Sequence, residues 1–436
     1  MEMEWLFLGG FCALLTASLA LDFFILWALL GGYLLFFSYG LVKGHRPKAL
    51  LAMSWEGLRT VKTILFLFLL IGMITALWRA SGTIPFLIYH AAGLISPAVF
   101  PLLAFLLCSV MSALTGTSFG TAATIGVICM SIAQAMGLSP VLSAGAILSG
   151  AFFGDRCSPM STSALLVAAL TKTDIYDNIR GMVRTAWVPL ILTCGIYLAF
   201  GLSHPDGTFS QALLAPFAQG FDLHWTTVLP ALVIIVLSLA RCPVKLTMGL
   251  SILVSAVLCL TLQDMGPGEL LRSALLGYTP SLPELKDLLS GGGILSMATP
   301  LCIVSVSSTF SGLFNGTGLL GGLKDAVHKL AGKITPFGSL FGTSILTSMI
   351  ACNQSLAIML SHSLCREDFT DQDLAIGMEN TVVVIAPLIP WSIAGTVPLA
   401  SLGAPPEAML AACYLYLIPL WNLVVNLKKR KKSALK

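Results

Sequence analysis

Long apolar runs broken by short polar punctuation set the rhythm of this chain. The clearest runs are Phe23 to Val42, Ala186 to Leu202, Val244 to Leu262 and Met409 to Leu427. Each is close to the roughly 20 apolar residues that carry a helix across a bilayer. The pattern predicts an all-α polytopic membrane protein with about 10–13 spanning or re-entrant segments. A helical hairpin over 5–42, turning near Asp22, comes first. A basic stretch, a helix near 63–78 and a polar break from Arg79 to Thr83 follow. An interrupted hydrophobic region then runs to Leu170. Helices are expected near 186–202, 225–240 and 244–262, followed by a mixed loop from Gln263 to Gly293. A second interrupted region extends from Ile294 to about Leu402, and a last helix leads into the tail.

Short polar motifs recur between the two interrupted regions. Gly116-Thr117-Ser118 returns as Gly342-Thr343-Ser344, and Ser81-Gly82-Thr83 as Asn315-Gly316-Thr317. Cys157-Ser158-Pro159-Met160 has a weaker echo in Ile385-Ala386-Pro387-Leu388. The order is kept, and each copy breaks a hydrophobic run. The helix near 63–78 starts beside Arg59 and Lys62, whereas its partner near 294–313 is followed by Lys324, Lys329 and Lys333. Basic residues favour the cytoplasmic side, so the two halves are expected to run in opposite directions. This divides the chain into a hairpin (1–48), a first inverted repeat (49–202), connecting helices and loops (203–284) and a second inverted repeat (285–436). Broken helices are expected near 115–120, 154–163, 341–354 and 379–396, with Gly116, Gly120, Gly154, Pro159, Gly342, Pro387 and Pro390 as the breaking residues. Inverted repeats with broken helices are the architecture of many secondary transporters, whose site lies near the membrane midplane.

Composition narrows the classes. Hydrophobic residues make up 56% of the 436 and charged ones only 10%, against roughly a quarter charged in a soluble domain. The net charge of +4 gathers in the tail "KKRKKSALK". Cytoplasmic placement explains that tail better than nucleic-acid binding. The loop from Lys43 to Lys48 belongs on the same side, and Ser203 to His224, without Lys or Arg, on the other. The start "MEMEW" is acidic and shows no cleavable leader, so the first apolar segment is expected to be retained. The 11 cysteines are scattered with no C-x-x-C pair, as expected of small buried hydrophobes rather than disulfides or a metal centre. No phosphate-binding loop is present, which excludes an ATP-driven pump of the usual kind. His90, His328 and His362 are expected at the membrane interfaces. The partners implied are the bilayer and a small ion or small organic solute, with no nucleic acid; a homodimer is compatible with the chain.

Gly116-Thr117-Ser118-Phe119-Gly120 fits the G-x-S-x-G pattern of a serine nucleophile elbow. An elbow serine needs a strand before it, a helix after it, and Asp and His partners. Here "FPLLAFLLCSVMSAL" precedes it as an apolar helix, and the second copy lacks the final glycine. An intramembrane serine protease is thereby the remote alternative. The favoured reading is an unwound stretch in which Thr117 and Ser118, with Thr343 and Ser344 in the second copy, supply oxygens. Freed backbone at membrane depth is tolerated only where it lines a cavity or is buried in protein. Helix packing through small residues is the competing account.

Asp155 sits in the densest polar cluster, "GAFFGDRCSPMSTS", between two apolar runs. An ionised carboxylate there is costly and marks a functional site by default. A structural pair with Arg156 is the competing account, weakened because adjacent helical residues do not face each other. Ser158 lies close by. In the second half Asn353 and Gln354 interrupt another apolar run, and Glu379 is either a midplane carboxylate or the aqueous end of a helix.

"GTSFGTAATIGV", "SAGAILSGAFFGDRCSP" and "APLIPWSIAGT" resemble the signature stretches of NhaC-type sodium/proton antiporters of the ion-transporter superfamily, over about Ser54 to Leu427. The resemblance implies inverted halves, interrupted helices and exchange of Na⁺ for H⁺ across a prokaryotic plasma membrane. It supports a Na⁺ site at Asp155 and calls for no cofactor, with Na⁺ and H⁺ as transported or coupling ions. Thr162 stands where relatives commonly carry an acidic residue, and Asn353 where they carry Asp. Two fewer fixed charges suit a zwitterionic or anionic solute better, so a Na⁺- or H⁺-coupled carrier of an amino acid or carboxylate is the alternative.

Overall fold

The computed structural model describes residues 2–20, 25–91, 96–203, 211–240, 242–319, 335–351 and 353–434. The described residues fold almost entirely as helices. In the first half these are α1 (Glu2–Ala20), α2 (Ile25–Val42), α3 (Pro47–Thr60), α4 (Lys62–Ala80), α5 (Thr83–Ala91), α6 (Phe100–Thr115), α7 (Ser118–Thr121), α8 (Val127–Ala135), α9 (Pro140–Cys157), α10 (Thr162–Thr171) and α11 (Ile175–Ser203). Then come α12 (Gln211–Gly220), α13 (Leu229–Leu239), α14 (Val244–Thr261), α15 (Pro267–Leu276) and α16 (Lys286–Leu289). The last part holds α17 (Ala298–Thr317), α18 (Pro336–Ala351), α19 (Gln354–Cys365), α20 (Asp371–Glu379), α21 (Val382–Ile385), α22 (Ile393–Leu402) and α23 (Cys413–Ala434).

By length and composition, 7 helices among the described residues can cross a membrane, or 8 if the pair Asp371–Leu388 and Ile393–Leu402, bent by 54°, forms one span. Leu6–Leu15, Trp225–Leu237 and Pro336–Ala351 are shorter apolar helices. The chain is thus a polytopic helical membrane protein. The expected turn at Asp22, and the Lys324, Lys329, Lys333 and His328 positions, lie outside the described residues. The basic stretch before α4 includes a helix, α3, packed against α17. The first hairpin also packs on α17, through Phe11, Phe36, Phe310 and Phe314, with the Phe36 and Phe314 rings 4.7 Å apart.

The expected breaks are partly displaced. Gly116 closes α6 in the left-handed conformation (φ 67°), a region that a glycine enters without Cβ strain. Thr117 is extended and Ser118 opens α7, so the chain breaks where expected. Gly120 lies inside the resumed helix, just before a π-helical turn at Ala122–Gly126. Gly154 is no break: α9 runs through it to Cys157, and the chain opens only at Ser158 to Ser161, around Pro159. A Cβ at Gly154 would fall on the backbone of Ser112 and Ala113. This glycine lets α9 and α6 approach closely, as small residues do between membrane helices. Gly154→Leu is accordingly expected to cost about 1–3 kcal/mol or more by overpacking, read as a lowered melting temperature in detergent; an unchanged melt would refute the packing role.

Gly342 is likewise helical, midway along α18. The break lies after Ala351, and Asn353 caps α19. Pro387 sits in a short 3₁₀ turn, Ala386–Leu388, and Pro390 in the open stretch before α22. Thr117 (φ −144°, ψ 117°) and Asn353 (φ −146°, ψ 129°) share an extended conformation as helix caps. Ser158 and Ile389 are likewise both extended, as are Ser161 and Ser392 before the next helix. Ser161 and Ser392 each cap the next helix, accepting from the amides of Ala164 and Ala394. Trp391 donates its ring N–H to the Met349 carbonyl at 2.8 Å and so ties the fourth break to α18.

Candidate functional site

The breaks meet in the interior. α9 packs on α6, α7 and α21, α10 on α19 and α20, and α22 on α7. Gly116 is so close to the loop at Met160 that an added Cβ would lie 2.6 Å from its carbonyl carbon. The first break is therefore seated on the second.

Asp155 lies in the last turn of α9 and is 4% exposed. Ser161 donates to one carboxylate oxygen at 2.9 Å and Ser163 to the other at 3.3 Å. Ser118 is a third hydroxyl within hydrogen-bonding reach. Ser161 and Ser163 also touch each other at 2.8 Å. Ser161 caps α10 and Ser163 lies in its first turn, so the start of that helix supplies both hydroxyls. The arrangement is one acid in a dry cage of hydroxyls. A hydroxyl can turn its proton towards the acid or its lone pair towards a cation, so the cage suits either occupant.

Arg156 points elsewhere. Its guanidinium is fully buried. It donates to the Glu379 carbonyl (3.0 Å), the Met182 carbonyl (3.2 Å), Thr185 (3.0 Å), Tyr414 (3.3 Å) and the Asn380 side-chain oxygen. One side chain thus joins α9 to α11, α23 and the junction after α20. The expected alternative, a pair with Asp155, is not what this arginine makes.

Glu379 ends α20 and is fully buried, so the alternative of an aqueous helix end is overturned. Asp371 and Asp373 mark the opposite, accessible end of that helix. Neither carboxylate oxygen of Glu379 has a hydrogen-bond partner among the described residues.

The other expected residues separate into groups. Thr117 and Ser118 join the Asp155 region. Ser158 is buried but accepts from the Met160 amide at 3.2 Å, holding the break rather than the acid. Ser344 donates to Thr381 at 2.9 Å, beside Glu379 in the chain. Thr343 is buried in α18 with its hydroxyl unpartnered among the described residues. Gln354 donates to the Val383 carbonyl at 2.9 Å, and the Asn353 side chain accepts from the Ser355 amide at 2.9 Å. Thr162, at the start of α10, is exposed. Ser118 opens a helix that follows another helix, and no strand precedes it, so the elbow geometry is absent. His362 is buried within the protein. Among the described residues no group of three His, Cys, Asp or Glu gathers for a metal. Cys108, Cys129, Cys259, Cys365 and Cys413 are buried free thiols.

Ser161, Ser163, Asn380, Tyr414 and the clamp made by Arg156 escaped the sequence. A serine at the head of an apolar run is a helix-cap signal, and it was the one local sign that pointed towards Ser161. Nothing local marks the partners of Arg156, more than 200 residues away in three cases.

A cavity of about 50 Å³ adjoins the first break. Thr115, Thr117, Thr124 and Thr247 line it, with Met160 and Cys242. Thr115, Thr124 and Thr247 donate their hydroxyl protons to the carbonyls of Met111, Gly120 and Pro243. Their lone pairs remain for whatever enters, a lining better suited to a cation than to an anion.

The family described as "Na+/H+ antiporter family" matches residues 2–172 and 150–422. The Na(+)/H(+) antiporter NhaC of Alkalihalophilus pseudofirmus is 28% identical over 386 residues, covering 85% of this chain and 82% of the relative. The Malate-2H(+)/Na(+)-lactate antiporter of Bacillus subtilis is 28% identical over 413 residues, covering 91% and 87%. The Arginine/ornithine antiporter ArcD of Halobacterium salinarum is 27% identical over 361 residues, covering 78% and 73%. With a match that spans both sets of broken helices and the acid between them, the chain belongs to the Na⁺/H⁺ antiporter family.

Proposed function

We propose that the protein is a secondary active transporter that exchanges Na⁺ for H⁺ by alternating access, with Asp155 at the centre of the site. The observation that carries this is the buried Asp155 carboxylate ringed by Ser118, Ser161 and Ser163 where two broken helices meet. Na⁺ is a hard cation that takes oxygen ligands, and carboxylate and hydroxyl oxygens are what this cage offers. A buried acid with no cation near it favours its protonated form, whereas a cation bound close by favours the ionised one. Alternating access turns that competition into exchange. The two sets of breaks would move as opposed halves, the inverted arrangement common among such carriers. We place the protein in the plasma membrane of a prokaryote on its family likeness, with its basic tail in the cytoplasm on the charge asymmetry. It is a carrier rather than an enzyme.

A second reading, cation-coupled movement of a small carboxylate or amino acid, is supported by the solutes for which the Bacillus subtilis and Halobacterium relatives are named. It is also supported by neutral Thr162 and Asn353. Purified protein in liposomes separates the two. An imposed Na⁺ gradient is expected to move protons with no organic solute present, read with a trapped pH dye. Proton movement that requires an added solute would replace the first reading with the second.

A further inference from the structure

Glu379 is the least explained charged group in the interior. It is fully buried, and neither of its carboxylate oxygens meets a donor among the described residues. An ionised carboxylate in that setting is strongly disfavoured. Asp155, by contrast, accepts from the hydroxyls of Ser161 and Ser163. Hydrogen bonds from those hydroxyls support an ionised Asp155, and the lack of them places a proton on Glu379 instead. Arg156 lies between the two acids: it follows Asp155 in α9 and holds the backbone carbonyl of Glu379 at 3.0 Å.

The groups around Glu379 are few. Arg156 and Asp155 bear charge and act on it directly. Cys157 and Tyr414, on α9 and α23, are weak acids beside the same arginine. Thr185 of α11, Asn380 and the Met182 carbonyl are neutral. His362 of α19 lies towards Asp371, at the other end of α20.

We propose that Glu379 is a proton site separate from the cation site at Asp155, and that the two exchange their occupants one for one. This rests on the Na⁺/H⁺ reading above and deepens it. The coupling follows from charge. With no cation present, ionised Asp155, positive Arg156 and protonated Glu379 sum to zero. When Na⁺ enters at Asp155, the cluster regains neutrality only if Glu379 releases its proton and stands as a carboxylate against Arg156. Re-protonation of Glu379 removes that compensation and expels the cation. One proton leaves for each Na⁺ that arrives, and no net charge crosses the membrane.

The test uses the full-length protein in liposomes. Glu379→Gln holds the site in its neutral form. It is expected to lose at least about tenfold in Na⁺-driven proton movement. Its KM for Na⁺ is expected to rise about tenfold or more, because the negative charge that balanced the cation is gone. Sodium–sodium exchange at saturating Na⁺ should persist, and its wild-type inhibition by acid should disappear. Asp155→Asn should lose that exchange as well. Infrared spectra of the wild type without Na⁺ should hold a protonated-carboxyl band that Na⁺ removes and that Glu379→Gln lacks. The proposal is overturned if folded Glu379→Gln still couples protons to Na⁺, if its sodium exchange keeps the wild-type response to acid, or if that exchange vanishes at saturating Na⁺. Should the variant not fold, the wild type decides. Na⁺-driven proton movement is expected to ignore an imposed membrane potential, and a potential-driven flux would overturn the one-for-one exchange. A wild type that moves no protons with Na⁺ at all would instead remove the antiport reading itself.

Discussion

Asp155→Asn is expected to reduce Na⁺-driven proton movement to the level of empty liposomes while leaving the protein folded. Asparagine keeps the size of the side chain and an acceptor for Ser161, but it has no negative charge and no titratable proton. Without that charge it cannot hold the cation whose arrival drives the release of a proton. Stability should stay the same or rise, because a neutral amide is cheaper to bury than a carboxylate. That combination, full loss of transport with an unchanged or higher melting temperature, is what a residue kept for function produces. A purely structural acid would give the reverse. Exchange at wild-type coupling in folded Asp155→Asn would remove Asp155 from the mechanism.

Arg156→Met is expected to fail in the opposite way, by loss of the folded protein. The guanidinium is the only described link that reaches Glu379, Met182, Thr185, Asn380 and Tyr414 together. Methionine fills part of the volume but leaves those acceptors unpaired at membrane depth. Removing one partner of a buried charged network costs on the order of 3–5 kcal/mol. Arg156→Lys keeps the charge, but a single ammonium cannot span acceptors on α11, α23 and the end of α20 as a planar fork does. Both variants should melt well below the wild type in detergent, with Lys between Met and Arg. A wild-type melting curve for Arg156→Met would show that the clamp holds nothing.

The two expectations divide neighbouring residues of one helix. Asp155 was legible in the sequence because a charge between two apolar runs is conspicuous whatever the fold. Arg156 was just as conspicuous, but its role was not. Its partners come from other helices, and the adjacent acid was the only candidate that chain order offered. The breaks show the same limit. Gly116 was read correctly because it stands between two apolar stretches and adopts a positive φ. Gly154 and Gly342 were read as breaks but are helical; the demand on Gly154 is the approach of α6. Glycine is called for both by left-handed backbone and by close packing, and composition does not tell the two apart.

By itself, the order of residues determined the membrane-spanning helical character, the two interrupted regions and the position of the central acid. These follow from hydropathy, helix-breaking residues and the cost of buried charge, all of which act locally. Tertiary structure alone decided where the chain opens, with Thr117, Asn353, Ser161 and Ser392 as extended caps of the helices that follow. It alone gave Asp155 its hydroxyls, withheld partners from Glu379 and aimed Arg156 across the interior. The physical reason is that hydrogen bonding and desolvation at a buried charge depend on what packs around it, and in this chain the packing joins segments far apart in the sequence.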